Sequence, residues 1–360
     1  MKRIKIAIVG LHYGKHIIET QILSGKASDF FELTAVCSLE KDDVSEVAVR
    51  YGVRGFTDLD EMLREGDFEC VGLFTGPAGR ADQIKAIVRA GKDIITTKPF
   101  EESSSSAKKA LRELVNLNKV LCTNSPYPIM PDDIKQIYAW IEKYDLGRAI
   151  SAQCFTWANY REKHDGSWYD QRELCPVAPV FRIGIYALND LIQLFGAIES
   201  VSVVESRIFT ERPTPDNANM SLKFSNGLIA NVLASFCIGD DSPYPDSMVL
   251  GFENGVIYRN VGPQAIWPRK EIEMTVQAKT VSDKIVTERK TICSEKLSGA
   301  YLWGNYYDMI KNREVPSPDY VERLLGSIKV FETVNRSYNL NDIRTDKVCE
   351  NVEDYDLSLV

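Results

Sequence analysis

The chain has 360 residues, 44% of them hydrophobic and 26% charged, with a formal net charge of −8. That is the balance of a soluble globular protein with room for two domains and a large core. An acidic average, with no lysine–arginine cluster interleaved with aromatics, argues against nucleic acid as a partner. Behind residues 1–5 the apolar run covers only 6–9, far short of a signal-peptide core or a membrane span, so a cytoplasmic location and no membrane partner are expected. Cysteines stand at 37, 70, 122, 154, 175, 237, 293 and 349 with no Cys-x-x-Cys pair. Reduced, mostly buried thiols are the expectation, not a disulfide framework or a zinc site. His12, His16 and His164 have no ligand spacing, so no catalytic metal is expected.

In chain order, 4–9 reads as a strand, followed by a glycine-bearing turn and a helix through Ile17, Ile18 and Ile22. Strands follow at 33–37, 70–75, 93–97 and 120–123, with helices at 42–51, 58–64, 81–90 and 104–118 between them. Alternation at this spacing means βαβ units and a parallel sheet, a Rossmann-type domain over 1–123. Composition changes at Asn124-Ser125-Pro126-Tyr127-Pro128, which marks a boundary. The remainder, 124–360, opens with a helix over 131–143 and then turns to longer alternating strands at 149–157, 201–209, 220–224, 228–236, 248–251 and 256–259. Asn226-Gly227 and Asn254-Gly255 are hairpin signals. The fold class is therefore α/β: a parallel Rossmann sheet, then an α+β domain with a large, mainly antiparallel open sheet. Helices over 186–195, 301–312 and 320–335 are expected to pack on the second sheet, and the acidic tail from Asp346 to be solvated.

A dinucleotide fingerprint has glycines where the backbone must approach a pyrophosphate at a helix N-terminus. Here the turn reads Gly10-Leu11-His12-Tyr13-Gly14-Lys15-His16, with His12 at the second glycine position and Gly14 one place early. Its position after the first strand carries more weight than its spelling. Where strand two normally ends in an acid for the adenosine ribose, this chain has Ser38, with Glu40 and Lys41 beyond. A serine beside a lysine admits a 2′-phosphate, so NAD or NADP is the expected cofactor, with NADP slightly favoured; an ordinary solvated loop reads equally well. Thr75-Gly76-Pro77 and Thr97-Lys98-Pro99 close two parallel strands, at the edge where open α/β sheets take ligands. Most lysines are solvated, but one at a strand end can hold a substrate hydroxyl as a hydride leaves.

Residues 6–10, 58–75, the Gly91 turn and 94–99 together resemble the Gfo/Idh/MocA oxidoreductase family, and the likeness continues through 173–184, 186–196, 219–236 and 301–336. The resemblance implies NAD(P)-dependent oxidation or reduction of a sugar, polyol or sugar-acid-like molecule, and a homo-oligomer formed through the open sheet. The family's Glu-Lys-Pro is here Thr97-Lys98-Pro99. Its Asp-x-Gly-x-His/Tyr is Arg182-Ile183-Gly184-Ile185-Tyr186. Lys98 and Tyr186 are then the catalytic pair. Gly10, His12, Tyr13, Gly14, Ser38, Thr75, Gly76, Pro77, Lys98 and Pro99 surround the cofactor. Arg182, Asn189, His164 and Trp168 face substrate. An arginine in place of the acid cannot act as a base, and beside a lysine it favours an anionic substrate, unless it pairs with an acid elsewhere. The departures at His12, Thr97 and Arg182 also leave room for a non-catalytic dinucleotide-binding sensor or assembly protein.

Overall fold

The structure, a computed structural model, describes residues 2–239, 244–262, 271–280, 282–294, 296–297, 299–339 and 346–347. Six strands form the first sheet: β1 Ile4–Val9, β2 Phe31–Cys37, β3 Arg54–Phe56, β4 Cys70–Leu73, β5 Asp93–Thr96 and β6 Leu121–Thr123. All are parallel, in the order β3-β2-β1-β4-β5-β6. Every residue of β4 and β5 is buried, which is why both read as continuous apolar runs. The acid among them, Asp93, accepts two bonds from Arg313 (3.0 and 2.8 Å) and one from the Val120 N–H (2.9 Å). Helices α1 Leu11–Ile17, α2 Lys41–Tyr51, α3 Leu59–Glu65, α4 Arg80–Arg89 and α5 Ser104–Asn116 connect these strands. Asp58 caps α3 by accepting from the Glu61 N–H (2.7 Å), and Ser103 caps α5 through the Ser106 N–H (3.3 Å). Strand order reverses between β1 and β4, so the segments leaving their carboxyl ends border the crevice in which such sheets bind ligands.

The second sheet has nine strands: β7 Ala149–Trp157, β8 Ile198–Ser206, β9 Asn217–Phe224, β10 Ile229–Ser235, β11 Ser247–Phe252, β12 Gly255–Arg259, β13 Glu271–Lys279, β14 Ile285–Cys293 and β15 Asp346–Lys347. Their order is β14-β13-β12-β11-β7-β10-β9-β8-β15, antiparallel except where β10 meets β7. The β13–β14 hairpin extends the sheet beyond the strands read from sequence. Only Ile292 of β14 is buried, so that strand lacks the alternation that announces the others. Helices α6 Asp132–Lys143 and α7 Ile185–Phe195 cover one face. The other face exposes Ile150, Val204, Ile229 and Leu233.

Helices α8 Trp303–Asn312 and α9 Pro318–Asn339 correct the expected packing. Trp303, Tyr306, Tyr307 and Ile310 of α8 join the first sheet's core beside Ile4 and Phe31, where the Phe31 and Tyr306 rings stack at 5.5 Å. Helix α9 spans both cores: Tyr320, Leu324 and Leu325 meet the first, Val330, Phe331 and Val334 the second. An apolar helix face specifies burial but not which sheet supplies it. Under α7, the buried Arg259 guanidinium donates to Asp133 (2.9 Å), Asp190 (2.9 Å) and Asp246 (2.6 Å). Seven cysteines are free thiols, five of them buried; Cys349 and most of the acidic tail lie outside the described residues. Among the described residues no helix is long and apolar enough to cross a membrane.

Candidate active site

The turn after β1 is built on Gly10. Its φ is +86°, and a Cβ there would stand 2.8 Å from the Phe74 carbonyl and the Thr75 nitrogen, so only glycine lets β1 leave so close to the end of β4. The Gly10 N–H donates to the Cys37 carbonyl (2.9 Å), which joins this turn to the end of β2. Gly14 packs on Ile8, where a Cβ would come within 2.9 Å of a methyl group. His12 and Tyr13 are exposed, whereas Lys15 is spent on Asp43 (2.8 Å) and Glu46 (3.0 Å). Ser38 is half-buried and its N–H donates to the Phe56 carbonyl (3.2 Å).

Three strand ends converge beside this turn. The Thr75 hydroxyl donates to Gln83 (2.7 Å), and Gly76 faces the indole of Trp168, which would lie 3.3 Å from an added Cβ. Asn124, at the end of β6, accepts from the Lys98 N–H (3.2 Å) and donates to the Tyr186 hydroxyl (3.1 Å). The Lys98 ammonium donates to the main-chain carbonyl of Arg182 and lies 4.8 Å from the centre of the Tyr186 ring. Burial, then the charge of Arg182, pull the Lys98 ammonium down from 10.5 to about 7, so near neutral pH it can both give and take a proton. Burial pushes the Tyr186 phenol well above its ordinary range, which keeps it a neutral donor.

Arg182 sits in a π-helical turn, Val180–Gly184, that leads straight into α7, an irregularity frequent at functional sites. Its guanidinium is taken up by Glu162 in a bidentate pair (2.6 and 2.8 Å) and lies over the rings of Tyr169 (4.0 Å) and Phe236 (4.7 Å). The acid elsewhere that the sequence left open is therefore Glu162, and the Lys98 ammonium bonds the carbonyl of Arg182 while feeling its charge at longer range. Glu162 also binds Arg212 (2.9 Å), which reaches Asp165 (2.8 Å) and Asp170 (2.7 Å). His164 has its Nδ1 3.0 Å from Asp170 and 64% of its side chain exposed. Asn189 lies inside the fold, one turn beyond Tyr186 on α7. It is 2% exposed and donates to the Ser125 hydroxyl (2.8 Å), bracing α7 against the loop after β6.

Sequence reasoning missed Asn124, Glu162, Arg80 and Tyr301. The Tyr301 hydroxyl is buried without a well-formed hydrogen bond, with Tyr13, Tyr186 and Thr97 close enough to act on it electrostatically; its ring meets Phe74 edge-on at 5.9 Å. An orphaned hydroxyl beside the ends of β4 and β5 fits a ligand carrying a polar head, as a nicotinamide carboxamide does. Among the described residues no group of three histidine, cysteine or acidic side chains could hold a metal ion.

The sequence profile of the oxidoreductase family with an NAD-binding Rossmann fold matches residues 4–125, and that of the GFO/IDH/MocA C-terminal domain matches 134–265. Over 202 residues the chain is 24% identical to scyllo-inositol 2-dehydrogenase (NADP(+)) IolU of Bacillus subtilis, covering 55% of this chain and 60% of that one. The match spans little more than half the length of the curated relatives. The structure resembles aldose-aldose oxidoreductase from Caulobacter crescentus, complexed with glycerol, with a TM-score of 0.70 and 17% identity over 96% of this chain and 100% of that one. It also resembles the WlbA dehydrogenase from Bordetella pertussis, in complex with NADH and UDP-GlcNAcA, with a TM-score of 0.71 and 18% identity over 94% of this chain and 98% of that one. At such identities the likeness to these structures speaks of fold alone. The two profiles together cover the first sheet and strands β7 to β12 of the second, and the chain belongs to the Gfo/Idh/MocA family of oxidoreductases.

Proposed function

We propose that the protein is an NAD(P)-dependent oxidoreductase that moves a hydride to or from a sugar, polyol or sugar-acid-like molecule, with Lys98 and Tyr186 as its polar catalytic pair. The observation that carries the reading is the convergence of the Lys98 ammonium and the Tyr186 ring, 4.8 Å apart, at the carboxyl end of β5. Residues 1–123 form the cofactor domain and 124–360 the substrate and oligomer domain. Gly10, His12, Tyr13 and Gly14 would border the pyrophosphate, and Thr75, Gly76, Pro77, Lys98 and Pro99 the nicotinamide. When bound, the nicotinamide supplies the hydride or accepts it. Lys98 hydrogen-bonds the substrate oxygen and exchanges a proton with it, while Tyr186 donates from the neutral phenol. Asn124 orients both groups, and Trp168 walls the substrate side. The names of the relatives support the polyol and sugar class: scyllo-inositol for IolU, aldose for the Caulobacter enzyme. Ser38, with exposed Lys41 beyond it, supports NADP over NAD. The exposed apolar residues of β7, β8 and β10 support a homo-oligomer.

A screen of sugars, polyols and sugar acids, followed by nicotinamide fluorescence, supplies the assay. Lys98→Ala is expected to lower kcat at least about 100-fold while the dinucleotide Kd changes little; unchanged turnover removes Lys98 from the mechanism. One observation favours a second reading, a dinucleotide sensor without turnover: the Lys98 ammonium is already bonded to the Arg182 carbonyl. Binding without redox turnover across the screen selects it.

A further inference from the structure

Arg80 opens α4 on its buried face, in register with Ile84 and Ile87, and is 1% exposed. Its guanidinium donates to main-chain carbonyls on two loops. Nη1 reaches Thr97 (2.7 Å), Pro99 and Phe100 (3.3 Å), and Nη2 reaches Thr75. Thr97 and Pro99 flank Lys98, and Thr75 follows the end of β4. Glu101 attracts Arg80 electrostatically, but the oxygens of that carboxylate accept from the N–H groups of Ala81 (2.6 Å) and Glu102 (2.8 Å). A cation this dry is costly to bury. What it secures is a set of carbonyls that the strand ends would leave unpaired, and a planar fork does so in one fixed geometry.

We infer that Arg80 is a positioning residue of the site, which fixes the Lys98 loop against the end of β4 so that the ammonium is aimed at Tyr186 and not at solvent. The inference rests on the reading of Lys98 as the group that handles the substrate proton. Charge adds to geometry: after burial and Arg182, Arg80 is a further cation pressing Lys98 toward its neutral form.

The test reads Lys98 directly. In protein carrying isotope-labelled lysine, the Cε resonance of Lys98, assigned by its absence from Lys98→Arg, is titrated in the wild type, Arg80→Lys and Arg80→Gln. The expected midpoint is about one pH unit higher in Arg80→Gln, with Arg80→Lys between it and the wild type. Near pH 7 that shift leaves about a five-fold smaller neutral fraction of Lys98. A folded variant, judged by near-UV circular dichroism, whose Lys98 titrates at the wild-type midpoint overturns the inference. If Arg80→Gln does not fold, Arg80→Lys decides by the same criterion, since an ammonium keeps the charge but cannot fork across both loops. Turnover is not the readout. Full activity in Lys98→Ala would sink the catalytic reading of Lys98, whereas an unmoved midpoint in an active Arg80 variant would sink this inference alone.

Discussion

Removing the Glu162 carboxylate probes what holds the loop that carries Trp168. Glu162 takes two bonds from Arg182 (2.6 and 2.8 Å) and one from Arg212 (2.9 Å). The Arg182 and Glu162 side chains are 13% and 23% exposed, so the pair is largely dry but not sealed. Taking one partner from a buried pair costs about 3–5 kcal/mol. Residual exposure, and an amide oxygen that still accepts, reduce the expected loss in Glu162→Gln to about 2–3 kcal/mol. Arg182→Gln should cost a similar amount, and the double variant less than the sum, by a coupling of about 1–2 kcal/mol. Burial by itself would raise the Glu162 carboxyl, but the bonds and charges of Arg182 and Arg212 outweigh it and hold the group below its ordinary 4.5. A depressed acid stabilises the fold above its unfolded value, and that contribution is lost as pH falls through the folded one. Below pH 4.5 the wild type should therefore lose stability more steeply than Glu162→Gln. Equilibrium urea unfolding of the four proteins at pH 7, repeated at lower pH, measures both effects. Additive costs, with coupling under about 0.5 kcal/mol, would show that this pair does not hold the loop.

Gly10→Ala sets a Cβ 2.8 Å from the Phe74 carbonyl at a φ of +86°. It is expected to cost about 2 kcal/mol of stability and at least about ten-fold in dinucleotide affinity by fluorescence titration, about 1.4 kcal/mol; wild-type affinity would show that the turn does not border the ligand. Asp190 shares Arg259 with Asp133 and Asp246, and burial first, then those neighbouring acids, push its carboxyl up to about 7. A raised acid weakens the fold as pH climbs from its unfolded value to its folded one, so the contribution of Asp190 to wild-type stability should fall between pH 3.8 and about 7. Asp190→Asn should remove that fall and leave the one due to Asp133, which is raised as well. Parallel curves of unfolding free energy against pH for the two proteins would refute the assignment.

The sequence made the first sheet plain because β1, β4 and β5 are buried on both faces, and an unbroken apolar run between helical stretches has few other readings. It hid β14, most of whose residues are exposed, and the placement of α8, whose aromatic face would suit either core. The site divides along the same physical line. The neighbourhood of Lys98 and Tyr186 could be read because a strand end and a helix start are local features, and the structure sets the ammonium 4.8 Å from the ring. Arg182 could not be assigned from its own neighbourhood, because its charge is balanced by Glu162, twenty residues away along the chain. Asn124 looked like part of a boundary, yet its amide joins Lys98 to Tyr186. Arg80 did leave a trace: a charged residue in register with Ile84 and Ile87 on an apolar helix face must find polar partners inside the fold. In this chain those partners are the carbonyls around Lys98. A buried cation whose bonds go mostly to main chain is a sign that the backbone there is what its guanidinium holds in place.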